Sequence, residues 1–217
     1  MDDDSLGITT KTNLGQTPLH FAVASGSTDL VELLLSRTRG KVSINEPDED
    51  GWTPLLWACR PCDKWGTPAQ VQYSIVKLLL DRGADPLVRG RTWDDKQWSP
   101  LKMARYHGAT EEVVHLLKKA SRHGREKGEK EDFHASKKGV RLRSAFCDMC
   151  LWGIRGLENV CVGCENGIVF CFKCSHWKEE LHPHHNNWEV RGTEFEETEE
   201  TEEESESPET SPEIEQV

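Results

Sequence analysis

The chain has 217 residues, of which 35% are hydrophobic and 30% charged, too lean a composition for one large core, so part of it must be held by something other than apolar burial. Its net charge of −11 is concentrated at one end: residues 194–217 hold twelve Glu and no Lys, Arg or Asp, which leaves the rest near neutral at +1. The start, Met1-Asp2-Asp3-Asp4, lacks the basic and apolar stretches of a secretory signal, and the apolar runs at 30–35 and 75–80 are too short to span a bilayer. The expected location is therefore cytoplasmic or nuclear, with no membrane association. The eight cysteines then belong in a reducing compartment, where metal binding is expected over disulfides.

In chain order, three stretches match one another: Thr17-Pro18-Leu19-His20, Thr53-Pro54-Leu55-Leu56 and Ser99-Pro100-Leu101-Lys102. A hydroxyl residue before proline is a helix start, with the hydroxyl capping free backbone N–H groups and proline tolerated at the first position. An apolar helix follows each start, and a second apolar helix follows that, at residues 30–35, 75–80 and 113–117. Glycines at 26 and 108 separate the paired helices of the first and third units, and Gly83-Ala84-Asp85-Pro86 ends the second. Neither helix of a pair can bury its apolar stripe alone, so neighbouring units must stack.

These residues resemble the ankyrin repeat, with its Thr-Pro-Leu-His start and Gly-Ala-Asp-Pro exit. The resemblance covers residues 12–120, about three repeats, and implies a protein-binding α-helical stack. The starts lie 36 and then 46 residues apart against about 33 for the family, and the excess reads as a loop at 61–70 inside the second unit. Trp65 and Trp93, in the irregular loops, are candidate partner contacts. Cys59 and Cys62 also form a Cys-x-x-Cys pair, but Cys59 falls where a repeat takes a small core residue, so packing explains it.

Residues 121–143 read as a basic linker, since Ser121 to Ser144 holds eight Lys/Arg and four Asp/Glu with few apolar residues to offset ordering entropy. Its basic residues are interrupted by acids and lack interleaved aromatics, which argues against nucleic acid as a partner. The Glu-rich segment 192–217 reads as a disordered tail on the same physical grounds.

The densest chemistry lies at 144–191. Three Cys-x-x-Cys pairs, Cys147/Cys150, Cys161/Cys164 and Cys171/Cys174, fall within 28 residues and are followed by His182, His184 and His185. Each pair can point two thiolates at one ion from a single turn, and zinc takes four such ligands tetrahedrally. Six Cys and two His make two complete Zn2+ sites. The hydrophobic residues here, among them Phe146, Ile154, Phe170 and Phe172, would make only a thin core, so metal is expected to be the main support of this fold. Chelation is accordingly expected to unfold this module and spare the repeats.

This segment resembles the ZZ-type zinc finger, from Cys147-Asp148-Met149-Cys150 to His182-Pro183-His184-His185. The resemblance implies a small α+β cross-brace: Cys147, Cys150, Cys171 and Cys174 on one zinc, and Cys161, Cys164, His182 and His185 on the other. The His-x-x-His spacing favours His185 over His184 as the last ligand. ZZ fingers act as protein-interaction modules, and some read a free peptide amino terminus through an Asp after the first ligand Cys, here Asp148. The acids that such readers carry before the fifth Cys are replaced by Gly167, Ile168, Val169 and Phe170.

Closed four-ligand sites leave no position for water or substrate, and no nucleophilic triad or phosphate loop occurs elsewhere, so the chain reads as non-enzymatic. The expected function is a zinc-binding adaptor whose ankyrin stack and ZZ finger each bind a protein or peptide. One alternative is a ubiquitin-ligase-type zinc module, although the Cys-x-His-x-x-Cys segment of a RING is missing. The other is a non-catalytic fragment of a larger ankyrin scaffold. The oligomeric state is not encoded in any motif.

Overall fold

The computed structural model describes residues 8–37, 43–60, 68–92, 97–123, 135–136, 141–150, 153–165, 167–192 and 197–198. Three helix pairs come first: α1 (Pro18–Ala24) with α2 (Thr28–Arg37), α3 (Pro54–Ala58) with α4 (Ala69–Asp81), and α5 (Pro100–Tyr106) with α6 (Glu111–His123). Helices α1, α3 and α5 pack in one row and α2, α4 and α6 in a second, which is the two-layer stack that the repeated starts call for. A two-residue hairpin, β1 (Gly90–Arg91) with β2 (Gln97–Trp98), joins the second pair to the third. No helix among the described residues is long and apolar enough to cross a membrane.

The three helix starts are not equivalent. At Ser99 the hydroxyl accepts the Lys102 N–H at 3.1 Å, as capping predicts. The hydroxyl of Thr17 instead meets Nδ1 of His20 at 2.9 Å, and that nitrogen also accepts the Thr17 N–H at 3.1 Å. Nε2 must then carry the ring proton, and it donates to the Trp52 carbonyl at 2.9 Å, tying the first repeat to the second. Burial holds the His20 pKa below its ordinary value, which keeps the ring in the neutral form this bridge requires. Thr53 departs from the expectation, because its buried hydroxyl makes no hydrogen bond among the described residues. Its unit has Leu56 where the first has His20, so the histidine bridge is not repeated. In the third unit Lys102 takes that position and lays its ammonium over the Trp98 ring at 4.9 Å.

Beyond the stack, a short antiparallel pair joins β3 (Ala135–Ser136) to β9 (Glu197–Thr198). Strands β4 (Arg141–Phe146) and β5 (Gly153–Arg155) form an irregular hairpin. Strands β6 (Glu158–Cys161), β7 (Val169–Cys171) and β8 (Trp188–Arg191) make a sheet in the order β7-β6-β8, both pairs antiparallel. A 3-10 turn at Ser175–Trp177 runs into α7 (Lys178–Leu181). Ordered backbone thus reaches into both flanking segments read as unstructured: α6 extends to His123, β4 begins at Arg141, and β9 lies inside the Glu-rich end. Backbone pairing needs no apolar side chains, so composition gave no sign of it.

One residue links the first two repeats to the β1–β2 hairpin. Trp52 is fully buried, its N–H bonds Oδ1 of Asp48 at 2.9 Å, its indole N–H reaches the Arg91 carbonyl at 2.7 Å, and its carbonyl takes the His20 bridge. The indole lies directly on Gly90, where an added Cβ would come within 2.4 Å of the ring. Gly90→Ala is expected to destabilise the full chain by about 1–3 kcal/mol through overpacking, read as a lower midpoint in thermal or urea unfolding followed by Trp fluorescence. An unchanged midpoint would mean that Trp52 can shift at no cost.

Candidate metal centres

Two quartets of potential ligands converge, each with its donor atoms within 4.8 Å of one another. The first is Cys147, Cys150, Cys171 and Cys174, all buried. The second is Cys161, Cys164, His182 and His185, of which only Cys161 is buried. The cysteine pairs alternate between the two: first with third, second with the histidines. The β6–β7 register keeps the sets apart, because Cys171 lies opposite Glu158 and Cys161 sits three residues further along β6.

The spacing suits a tetrahedral ion. Sulfur ligands at about 2.3 Å and nitrogen ligands at about 2.0–2.1 Å imply separations of about 3.8 Å for S–S, about 3.5 Å for S–N and about 3.3 Å for N–N. Sγ of Cys150 and Cys171 are 3.7 Å apart. In the second quartet Cys161 Sγ is 3.5 Å from His185 Nδ1, and Cys164 Sγ is 3.2 Å from His182 Nε2 and 3.1 Å from His185 Nδ1. The two ring nitrogens are 3.1 Å apart. Both donor sets could hold a metal ion and are compatible with zinc.

His184 is exposed and outside both quartets, whereas His185 turns Nδ1 into the second. Gly163 makes that approach possible, since a Cβ there would sit 3.2 Å from the His185 ring. Asp148 is also exposed, with Oδ2 accepting the Val169 N–H at 2.7 Å and its own N–H reaching the Val169 carbonyl at 2.9 Å. Trp65, Trp93 and Cys62 lie outside the described residues, and Cys59 is buried in the helical core, where burial raises its thiol pKa.

The first quartet is not separate from the helical stack. Arg60, just past α3 and only 2% exposed, points its guanidinium at two of the sulfurs, 3.8 Å from Cys150 and 3.9 Å from Cys171. Burial pulls the Arg60 pKa down, but the Cys150, Cys171, Cys174 and Cys147 thiolates more than reverse this and raise it, so it stays charged. Between Cys171 and Cys174, Phe172 leaves the small module altogether. Its ring packs against Trp98 at 5.4 Å, Tyr106 at 5.8 Å and Trp52 at 6.4 Å. Lys173, 1% exposed, pairs with Asp48 at 3.0 Å and with Asp50. Burial lowers its pKa, and Asp48, Cys174 and Asp50 together raise it above the ordinary lysine value. Nε2 of His176 and the Trp177 indole N–H reach Oδ1 of Asp50 at 2.8 and 3.3 Å.

Comparison with known proteins identifies the helical part. Residues 4–90 match the family model for ankyrin repeats (3 copies). The N-terminal part of the chain is an ankyrin repeat array. It is similar to an ankyrin repeat domain-containing protein of Stachybotrys chartarum, SAT10, at 32% identity over 105 residues, 48% of this chain and 5% of that protein. A putative ankyrin repeat protein of Rickettsia bellii is 33% identical over 125 residues, 57% of this chain and 60% of that one. The putative ankyrin repeat protein YahD of Escherichia coli is 35% identical over 106 residues, 49% of this chain and 47% of that one. The chain therefore spans less than two thirds of the length of each. The α5–α6 pair lies beyond the matched residues, but it starts on the same hydroxyl-proline pattern, here Ser99-Pro100, and stacks on the second ankyrin pair.

Reading the sequence for ligands missed the ankyrin contribution to the metal-binding region: Arg60, Asp48 and Asp50. The hint that existed was local: Asp48, Asp50, Trp52 and Trp57 cluster around the repeat start at Thr53. Arg60→Met is expected to weaken metal binding at the four-cysteine site by about 10–100-fold, the usual cost of losing a partner that supports metal ligands. Competition of the metal-loaded full chain with a chromophoric chelator would resolve the two sites. The Cys161 site should keep its affinity, and equal weakening of both would point to general unfolding instead.

Proposed function

We propose that this chain is a non-enzymatic, intracellular zinc-binding adaptor for protein–protein interaction, in which the ankyrin repeats and a ZZ-type finger act as one docked body. Ankyrin repeats bind other proteins, which supplies the first half of this reading. The observation that carries the second is the interleaving of two closed four-donor sets. When bound, zinc would supply structural cross-links here and no reaction, because four protein ligands fill its coordination. Docking through Arg60, Phe172 and Lys173 removes part of the stack from the surface offered to partners. Chelation is then not expected to spare the repeats, since it would loosen residues that complete their core.

Asp148 is the residue best suited to a partner's amino terminus. It is exposed on the first cysteine turn, and the Val169 N–H fixes the orientation of its carboxylate. A charge-assisted bond to an ammonium is a strong anchor of this kind. Native mass spectrometry of the full chain should count two zinc ions. Calorimetric titration of that loaded chain with peptide pairs, one member free and one acetylated at the amino terminus, then tests the reading. The free peptides should bind at least about tenfold more tightly, a difference of about 1.4 kcal/mol, and Asp148→Asn should erase the preference. Equal binding of both members with two zincs present would exclude terminus reading and place partner contacts elsewhere on the docked body.

A further inference from the structure

The Lys173 ammonium is buried against the ankyrin array and not in solvent. Its carboxylate and aromatic partners come from residues 48–57 of the ankyrin array, with Cys174 of its own turn close by. Nζ is 3.0 Å from Asp48, in contact with Asp50, 5.2 Å from the Trp52 ring centre and 5.9 Å from that of Trp57. Two carboxylates and two indole faces are the ingredients of an ammonium receptor, since both the charge and the ring quadrupole favour a cation.

Asp48 is positioned by the repeats themselves, whereas Asp50 also meets His176 and Trp177 of the metal module. Oδ1 of Asp48 accepts the N–H groups of Asp50 at 3.1 Å and Trp52 at 2.9 Å, and Oδ2 accepts the Trp57 indole N–H at 3.1 Å. None of these donors belongs to the metal module, so Asp48 is aimed without help from Lys173. Beside it, the slot formed by Trp52, Trp98 and Tyr106 receives the Phe172 ring. The groove therefore has one compartment for an aromatic side chain and one for the lysine that follows it.

We propose that the ankyrin array carries a lysine-binding pocket made by Asp48, Asp50, Trp52 and Trp57, and that the Phe172-Lys173 turn of the metal module is its resident ligand. The kind of partner this face fits is a segment presenting an aromatic residue and then a lysine. The chain supplies one in cis, so an outside segment of that chemistry gains the pocket only by displacing the turn. This pocket is distinct from Asp148, and its test does not depend on terminus binding.

Lys173→Ala in the metal-loaded full chain leaves the receptor and removes its cation. The variant should unfold at lower temperature than the parent. n-Propylammonium chloride, the detached end of a lysine side chain, should raise that temperature saturably, by the linkage that stabilises any folded state with a filled site. Sodium and tetramethylammonium chloride at equal ionic strength should not, one lacking hydrogen-bond donors and the other also too bulky. The parent should respond equally to all three salts. A folded variant on which propylammonium has no advantage over sodium overturns the proposal.

Should Lys173→Ala fail to fold, Lys173→Met keeps the bulk of the stem, and Asp50→Asn made on it gives a second reading. Removing that carboxylate should lower the unfolding temperature of the parent much more than that of Lys173→Met, where Asp50 keeps only its contacts with His176 and Trp177. A loss of the same size on both backgrounds sinks the pocket.

Discussion

A buried ammonium is the constraint on which the rest of this molecule depends. An ion taken out of water costs several kcal/mol, and Lys173 is 1% exposed, so its position is tolerable only with charge opposite it. Asp48 and Asp50 supply that charge from more than a hundred residues earlier in the chain. They are themselves buried, so the obligation is mutual: without Lys173 two carboxylates would face each other between tryptophans. Such a triad adds little net stability compared with an apolar contact, but it penalises every arrangement that separates its members. It therefore fixes where the small module sits on the repeats, while Phe172 and the rings around it supply the apolar burial.

The same turn that carries the ammonium also carries two of the candidate metal ligands. Cys171 and Cys174 flank Phe172 and Lys173, so ligands and docking residues share one four-residue loop. Charge accounts for the placement. Four thiolates around a divalent ion leave a net charge of −2, and this cluster is the buried one, with cations drawn in beside it: Arg60 from the repeats and Lys173 from the turn. In the second quartet two neutral imidazoles replace two thiolates, so the same ion would leave no net charge. That cluster is half-exposed and sits at the outer end of the sheet, near β8. The deeper site needed compensation and obtains it from the ankyrin array.

These long-range dependences explain what the sequence revealed and what it hid. Helix starts at Thr17, Thr53 and Ser99 and the three cysteine pairs are local patterns, each completed within four residues, and repetition marks them out. The grouping of six cysteines and two histidines into two converging quartets was legible too, once a resemblance supplied the order in which the pairs interleave. Arg60 and Lys173 carried no comparable mark. A lysine between two cysteines reads as a solvated side chain on a metal turn, and an arginine after a short helix reads as surface. Their partners lie 90 to 125 residues away, beyond the reach of any spacing rule. Phe172 misled in the same way: counted toward the core of its own module, it belongs to that of its neighbour.

Sharing a turn between coordination and docking has a thermodynamic consequence. A metal ion that orders residues 171–174 also orders the side chains that fill the groove on the repeats, so each event favours the other by the same free energy. No ankyrin residue needs to touch the ion for this to hold. Arg60 strengthens the coupling, because its charge is most useful where thiolates are held deprotonated, and they are held so by metal. The reverse also follows: the repeats present the metal with partly prearranged sulfurs, since Phe172 and Lys173 pin the turn between its two cysteines. A free-standing finger would have to order that turn at its own entropic cost. With metal bound, the array and the module would act as two halves of one cooperative structure, and a partner that favours the docked arrangement would raise the metal affinity.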